Sequence, residues 1–319
     1  MHRKASSLGA CRDRLMEKLD VPDNIVQPFL LENSVARGRL VRLGTVVDEI
    51  LNAHDYPDPV AITLAETLAL AAVVGGIFKF DGLFSVQAKG DGPLGIVVAD
   101  LTSDGALRGY AQFRAGEIAT LEKEWYKNPV PQLLGSGYLS FTVDQGKNTD
   151  RYQGIVELTG ATLADCAHNY FQQSDQFDGV VRLTSGRDGD GAWRSGGLLI
   201  QKMPSEQFVI QSEDFNEEDF EVAWRRAIIL MGSSRGQELL DADLHPNELL
   251  FRLFHEDGVR VFDPLQLEAR CRCSIERVEN MLKSFPRSEI ESLKNLISCE
   301  FCGRDYSFSG KDLDRIFNA

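Results

Sequence analysis

The chain has 319 residues, 43% hydrophobic and 26% charged, with a formal net charge of −14. That length accommodates two or three domains, and the composition is that of folded protein, not of a disordered chain. The acidic excess argues against a nucleic-acid partner or an anionic membrane surface.

The opening MHRKASSLGACRDRL has no apolar run behind its basic residues, so no secretory signal is read there. Residues 23–56 read as helical in part: GTVVDEILNAH places Val46, Val47, Ile50 and His54 at helical spacing, with His54 a packing residue at the helix end. Asp58-Pro59 stops that helix or starts the next. The most hydrophobic stretch, Val60 to Phe80, carries Glu66, and its longest clean apolar run, Leu68 to Phe78, is 11 residues. That is short for a membrane span. A buried helix over 61–78, broken at Gly75-Gly76, fits better, and no membrane partner is expected. The compartment is then the reducing cytoplasm, where structural disulfides are rare and clustered cysteines point to metal or redox work.

After Phe80 the texture changes to short apolar strands broken by Asp81-Gly82, Asp91-Gly92 and Asp104-Gly105, which are hairpin signals. GYLSFTVDQGKNTDRYQGIVELTG repeats the pattern. TLADCAHNYFQQSD predicts a helix capped by Thr162 with Asp165 three residues on. GVVRLTSGRDGDGAWRSGGLLIQKMP predicts two strands joined by a glycine-rich loop. The expected class is α+β. Residues 1–204 form a mixed α/β domain with antiparallel hairpins, without regular βαβ alternation.

Residues 212–221, SEDFNEEDFE, hold six carboxylates. AWRRAIILMG and LHPNELLFRLFHEDG follow as helices, with Pro246 in a first turn and Leu249/Leu253 and Leu250/Phe254 as i,i+4 pairs. Two readings of 205–263 stay open: a helical linker of marginal stability, or an ordinary helical subdomain.

Residues 264–319 carry four of the six cysteines, as Cys271-Arg272-Cys273 and Cys299-Glu300-Phe301-Cys302, separated by 25 residues. Nine acidic and nine basic groups balance there. Ser274 can cap a helix bearing Ile275, Val278, Leu282 and Phe285, and Pro286 breaks it. Ser288 and Glu291 form a capping box for a second helix with Ile290, Leu293 and Ile297 on one side. Two helices out and back return Cys299 to Cys273. Four thiolates suit tetrahedral Zn²⁺, one ion per chain; the same ligand set also suits an iron–sulfur cluster. With every position filled by protein, no coordination site is left for a substrate, which weakens a zinc-enzyme reading. The site is either purely structural or a redox sensor, because zinc keeps thiols ionised and open to oxidants. Cys166 reads as a buried small apolar residue, and His168 does not share its helical face, so a Cys166/His168 catalytic pair is not expected. Cys11 receives no role.

At these cysteines and their flanks RCRCSIERV, CEFCGRDYSF and LLFRLFHEDGVRVFDP, the sequence resembles the Hsp33 family of redox-regulated chaperones. The resemblance continues in KFDGLFSVQAKGDGPLGIVVADLTSDGALRGYA, RYQGIVELTG and SGGLLIQKMP. It implies a non-enzymatic, ATP-independent holdase: a chaperone core over 1–204, a redox-responsive linker over 205–263 and a zinc-binding switch domain over 264–319. It implies zinc on Cys271, Cys273, Cys299 and Cys302 in a reduced, monomeric, inactive form. On oxidation it implies Cys271–Cys273 and Cys299–Cys302 disulfides, zinc release, linker unfolding, dimerisation and capture of unfolding client proteins. The 25-residue gap is shorter than the family's usual one, and the acidic run at 212–221 is expected to loosen the linker by repulsion, favouring activation without heat. The alternatives are a constitutive protein-binding protein with a structural zinc site and a zinc-dependent enzyme; no nucleotide-type glycine loop supports the latter.

Overall fold

The structure is a computed structural model, and it describes residues 21–33, 36–78, 80–145, 151–173, 178–203, 217–287, 290 and 296–318. Strands β1 (Ile25–Leu31) and β2 (Ala36–Leu43) lead into helices α1 (Thr45–Asn52) and α2 (Asp58–Gly75). Strands β3 (Leu83–Gly90), β4 (Leu94–Thr102) and β5 (Ala106–Phe113) follow as a meander. After the short helix α3 (Ala115–Ile118) and a π-turn at Val130–Leu134 come β6 (Gly137–Asp144), β7 (Tyr152–Glu157), α4 (Leu163–Gln173), β8 (Gly179–Arg187) and β9 (Trp193–Lys202). These strands make two sheets, ordered β1-β2-β9-β8 and β5-β4-β3-β6-β7, with antiparallel pairing throughout.

Helix α2 lies between the two sheets, and its sequence explains why. It is apolar around its whole circumference, so it can only be stable when enclosed. By length and mean hydropathy (1.5) it could cross a membrane, yet 78% of it is buried inside the fold. It starts at Asp58-Pro59, with proline at a first-turn position where its missing N–H costs nothing, and ends at Gly75. Helix α4 carries the expected reciprocal cap: the Asp165 N–H donates to Thr162 Oγ1 (3.2 Å) and the Thr162 N–H to Asp165 Oδ2 (2.8 Å).

Residues 23–56 depart from the helical reading, because 25–31 and 36–43 are strands. The first sheet is covered on both faces, so its strands lack the polar alternation of a half-exposed sheet. Along β9, Leu199 faces the α2 core, while Leu198 and Ile200 face the other way. That second face holds Phe29, Leu31 and Leu40, and Gly38 lies beneath the Phe29 ring with no room for a Cβ.

Helices α5 (Glu217–Gly232), α6 (Gly236–Leu240) and α7 (Pro246–Phe254) cover this face with Trp224, Met231, Leu249, Leu250, Leu253 and Phe254. Of the acidic run, 212–216 lies outside the described residues. Three arginines of the sheet hold the helical segment by its carbonyl groups, one of them Arg182, whose Nη1 donates to Gly232 O at 3.1 Å. Arg42, fully buried, donates to Leu244 O and, at 3.4 Å, to Glu238 O; Arg194 Nε donates to Leu240 O at 2.6 Å. Burial lowers the Arg42 guanidinium to about 10, so it remains a cation at neutral pH. The chain then borders both sheets. Strands β10 (Val259–Val261) and β11 (Leu265–Gln266) pair antiparallel with β1, and β12 (Glu268–Ala269) pairs parallel with β5.

Phe254 is fully buried and its ring stacks on Phe29 at 5.8 Å. Phe254→Ala is expected to cost about 3–5 kcal/mol, read as a lower urea midpoint, with amide protection lost over 217–254 ahead of the two sheets. A second prediction concerns Glu66, which lines a cavity of about 230 Å³ with Trp125, Tyr126 and Leu163. Burial raises its carboxyl from 4.5 to about 7. The folded form therefore binds this proton more tightly than the unfolded chain, and stability falls as pH rises from 4.5 to 7. Glu66→Gln should match the parent at pH 4 and exceed it at pH 8 by up to about 3 kcal/mol in chemical denaturation.

Candidate metal centre

The C-terminal module is built from α8 (Ile275–Leu282), the hairpin β13 (Leu296–Ser298) and β14 (Asp305–Ser307), and α9 (Gly310–Asn318). Ser274 caps α8, its Oγ accepting the Arg277 N–H at 3.3 Å. Ser309 and Asp312 cap α9 reciprocally. Among the described residues, its core is Leu282, Ile290, Phe308, Leu313 and Ile316, flanked by Val278, Ile297, Tyr306 and Phe317. Five buried apolar side chains are few for a unit of this size, which calls for a staple.

Cys271 and Cys273 lie on the extended chain between β12 and α8, where side chains two apart share a face. Cys299 and Cys302 lie in the β13–β14 turn. The Gly303 N–H donates to Cys299 O (2.8 Å) and the Cys299 N–H to Arg304 O (2.9 Å). Gly303 has φ of +66°, a conformation that side chains resist, so the glycine after the second pair is what closes the turn. The return path differs in one respect from the two-helix expectation. Ile290 is helical and buried, but Ile297 belongs to strand β13; Ser288, Glu291 and Leu293 lie outside the described residues.

All four sulfurs lie within 4.8 Å of one another, with Cys271–Cys299 at 3.7 Å and Cys273–Cys302 at 3.5 Å. A tetrahedral ion with metal–sulfur bonds of about 2.3 Å places its sulfurs roughly 3.8 Å apart. The cluster thus fits one tetrahedral metal ion and leaves no position open. The shortest approaches run across the two motifs, not within them. Burial opposes ionisation of Cys271, but the Cys273 N–H and the thiols of Cys273, Cys302 and Cys299 converge on its sulfur and bring it down to about 7. Burial and the neighbouring sulfurs push Cys302 up to about 12. The thiols titrate as a group, and a metal ion that binds them must displace their protons.

The module rests on the second sheet through the second motif. The Phe301 ring lies over the Arg108 guanidinium, 3.8 Å from Cζ, with the Tyr110 ring 6.1 Å away. Phe301 O is within 3.3 Å of His54 Nε2. Arg270 pairs with Asp104. Sequence reasoning took His54 as a packing residue and did not single out Arg108, Tyr110 or Phe301. The only local signal was an aromatic residue inside a turn otherwise shaped by cysteines. Cys166 is fully buried, and burial raises its thiol to about 11. His168 Nε2 accepts the Val181 N–H at 3.1 Å, so the two residues form no catalytic pair. Cys11 lies outside the described residues.

An α+β body thus carries a four-cysteine module able to hold one metal ion entirely through protein ligands. The family model described as Hsp33 protein matches residues 24–309. A 33 kDa chaperonin of Caulobacter vibrioides is 42% identical over 294 residues, covering 90% of this chain and 95% of the relative. One of Pseudomonas fluorescens is 36% identical over 306 residues, covering 93% and 95%. The solved 33 kDa chaperonin of Thermotoga maritima shares the fold, with a TM-score of 0.77 at 22% identity over 93% of this chain and 98% of that one. The chain belongs to the Hsp33 family, whose members are chaperones and not enzymes.

Cys302→Ser removes one of four ligands. Cobalt(II) titration followed by its thiolate absorption should show affinity reduced by more than about 100-fold, beyond the usual cost of losing an outer-shell partner, whereas Cys166→Ser should leave it unchanged.

Proposed function

We propose that the protein is a redox-regulated, ATP-independent holdase of the cytoplasm, silent when reduced with one Zn²⁺ on Cys271, Cys273, Cys299 and Cys302. The observation that carries this reading is the convergence of four thiols on a module with only five buried apolar residues described in its core. When bound, zinc keeps the thiols ionised and joins the two cysteine motifs. Everything else in the switch follows from the chain.

Oxidation joins Cys271 to Cys273 and Cys299 to Cys302, each pair surrendering two electrons to an oxidant such as hypochlorous acid, which leaves as chloride and hydroxide. One thiolate sulfur takes the chlorine, and the neighbouring thiolate displaces chloride to close the bond. Pairing within each motif removes all four ligands and leaves no bond between the motifs. Pairing across them would instead lock the module shut. Neighbour pairing is what the resemblance to the family implies, although the closed form brings opposite motifs nearest.

A module without its staple has too small a core to hold its shape. In this assignment 1–204 is the chaperone core, 205–263 the linker and 264–319 the switch domain. Strands β10, β11 and β12, only two or three residues long, join the switch to both sheets, and such short pairings are weak on their own. As they peel away, α5–α7 lift from Phe29, Leu40, Leu198 and Ile200. The uncovered apolar face takes unfolding clients and, in a second copy, a dimer partner.

Treating the zinc-loaded protein with mild hypochlorite should release zinc, form the two neighbour disulfides by mass mapping, and convert an inactive monomer into a dimer that suppresses aggregation of a heat-denatured client. Zinc release without suppression would refute the switch. Equal suppression before and after oxidation would make the protein a constitutive binder.

A further inference from the structure

Strand β5 is bordered on its outer side by the two-residue β12. Among the described residues that side is paired at Ala106 and Leu107, by Glu268 and Ala269, and the Arg270 N–H continues the ladder to Leu107 O at 3.1 Å. Just beyond, Arg108 and Tyr110 project from the sheet face opposite α2 and receive Phe301. The socket is braced by contacts that do not involve Phe301. Arg108 is held by Asp100 Oδ2 through Nε at 2.9 Å and Nη2 at 2.6 Å, and Asp100 is itself 5% exposed. The His54 ring is braced by Tyr56 and Tyr110, with centroids 5.1 and 6.0 Å away. An open cleft of about 400 Å³ runs alongside, between Glu49, Leu107, Arg108 and Phe301. That volume lies in the range of ligand pockets.

These features together make a receptor for extended chain: a sheet edge that takes main-chain hydrogen bonds, and a cation held flat for one aromatic ring. In the closed form both halves are filled by the protein's own residues 268–270 and 301, on the two arms of the cysteine module. We propose that this site binds an extended polypeptide segment bearing an aromatic side chain, with Phe301 and β12 occupying it as an internal substitute until the module departs. The proposal deepens the holdase reading and rests on it for the event that vacates the site. The occupant's chemistry comes from the segment already seated there. An unfolding client supplies the same two elements, free backbone and an exposed aromatic ring, that folded proteins keep buried.

The site can be tested without oxidant. The probes are a fluorescein-labelled decapeptide, GSTVTFTVSG, and its counterpart with serine in place of phenylalanine, titrated by anisotropy into the reduced, zinc-loaded full chain. Phe301→Ser should bind the phenylalanine peptide about tenfold more tightly than the parent, ~1.4 kcal/mol. Adding Arg108→Gln, which keeps a hydrogen bond to Asp100 but removes the cation, should return affinity to the parent level. The serine peptide should bind neither protein measurably. No gain with Phe301→Ser, no loss on adding Arg108→Gln, or equal binding of the serine peptide would each overturn the proposal. If Phe301→Ser unfolds the module, seen as zinc loss, the socket is open all the same and the Arg108→Gln contrast still decides. Client aggregation after hypochlorite is measured in parallel. Full suppression by oxidised parent and oxidised Arg108→Gln alike would overturn this site as a client receptor and leave capture to the first-sheet face of the holdase reading. Peptide discrimination without suppression by the oxidised parent would do the reverse.

Discussion

Four sulfur atoms converge within 4.8 Å of one another in a module whose described core has five buried apolar side chains. Everything downstream depends on that convergence. The sulfurs come from two motifs 25 residues apart, so their meeting closes a loop that the small core could not close unaided. The module is also the far anchor for chain bordering both sheets. Between Val259 and Ala269 the backbone makes three short pairings, two to β1 and one to β5. In the proposed switch, a local change at sulfur acts on the edges of the main body through these pairings.

The helices over 217–254 are packed as well as an ordinary subdomain. Trp224, Leu249, Leu250 and Phe254 meet Phe29, Leu40, Leu198 and Ile200 in one cluster. Their attachment is nevertheless of a kind that can be reversed. The helices are held by a flat apolar contact and by Arg42, Arg182 and Arg194 gripping carbonyl groups, not by interleaving their strands with the sheet. Apolar contact of this type is adhesive towards any apolar surface, and in the proposed switch it is the face that another chain would meet.

Local signals in the sequence were read well wherever one residue type has one structural use. Asp91-Gly92 and Asp104-Gly105 mark the β3–β4 and β4–β5 turns, Thr162 and Asp165 cap α4, and Ser274 caps α8. Reading failed where burial on both sides erases periodicity. IVQPFLL and ARGRLVRL carry no clean alternation because β1 and β2 face a core on each side, and they fall in the span 23–56 that reads as helical only in part. Ile297 kept a helical spacing to Ile290 yet sits in a strand, because the hairpin that aims Cys299 and Cys302 claims it. The docking contacts of Phe301 with Arg108, Tyr110 and His54 could not be read at all, since these residues are far apart in the chain and individually commonplace.

By itself the sequence determined the chemistry of this protein. The paired motifs at Cys271, Cys273, Cys299 and Cys302, with Gly303 behind them, specify a closed four-sulfur site, because thiolate ligands and a left-handed glycine are properties of residues and not of their surroundings. The tertiary structure decided the geometry of control. It set which sulfurs lie nearest, Cys271 to Cys299 and Cys273 to Cys302. It laid the helices over the apolar face of the first sheet and seated Phe301 on the second. Those are facts about distance between remote segments, and packing free energy summed over the whole core fixes such distances where no local preference can.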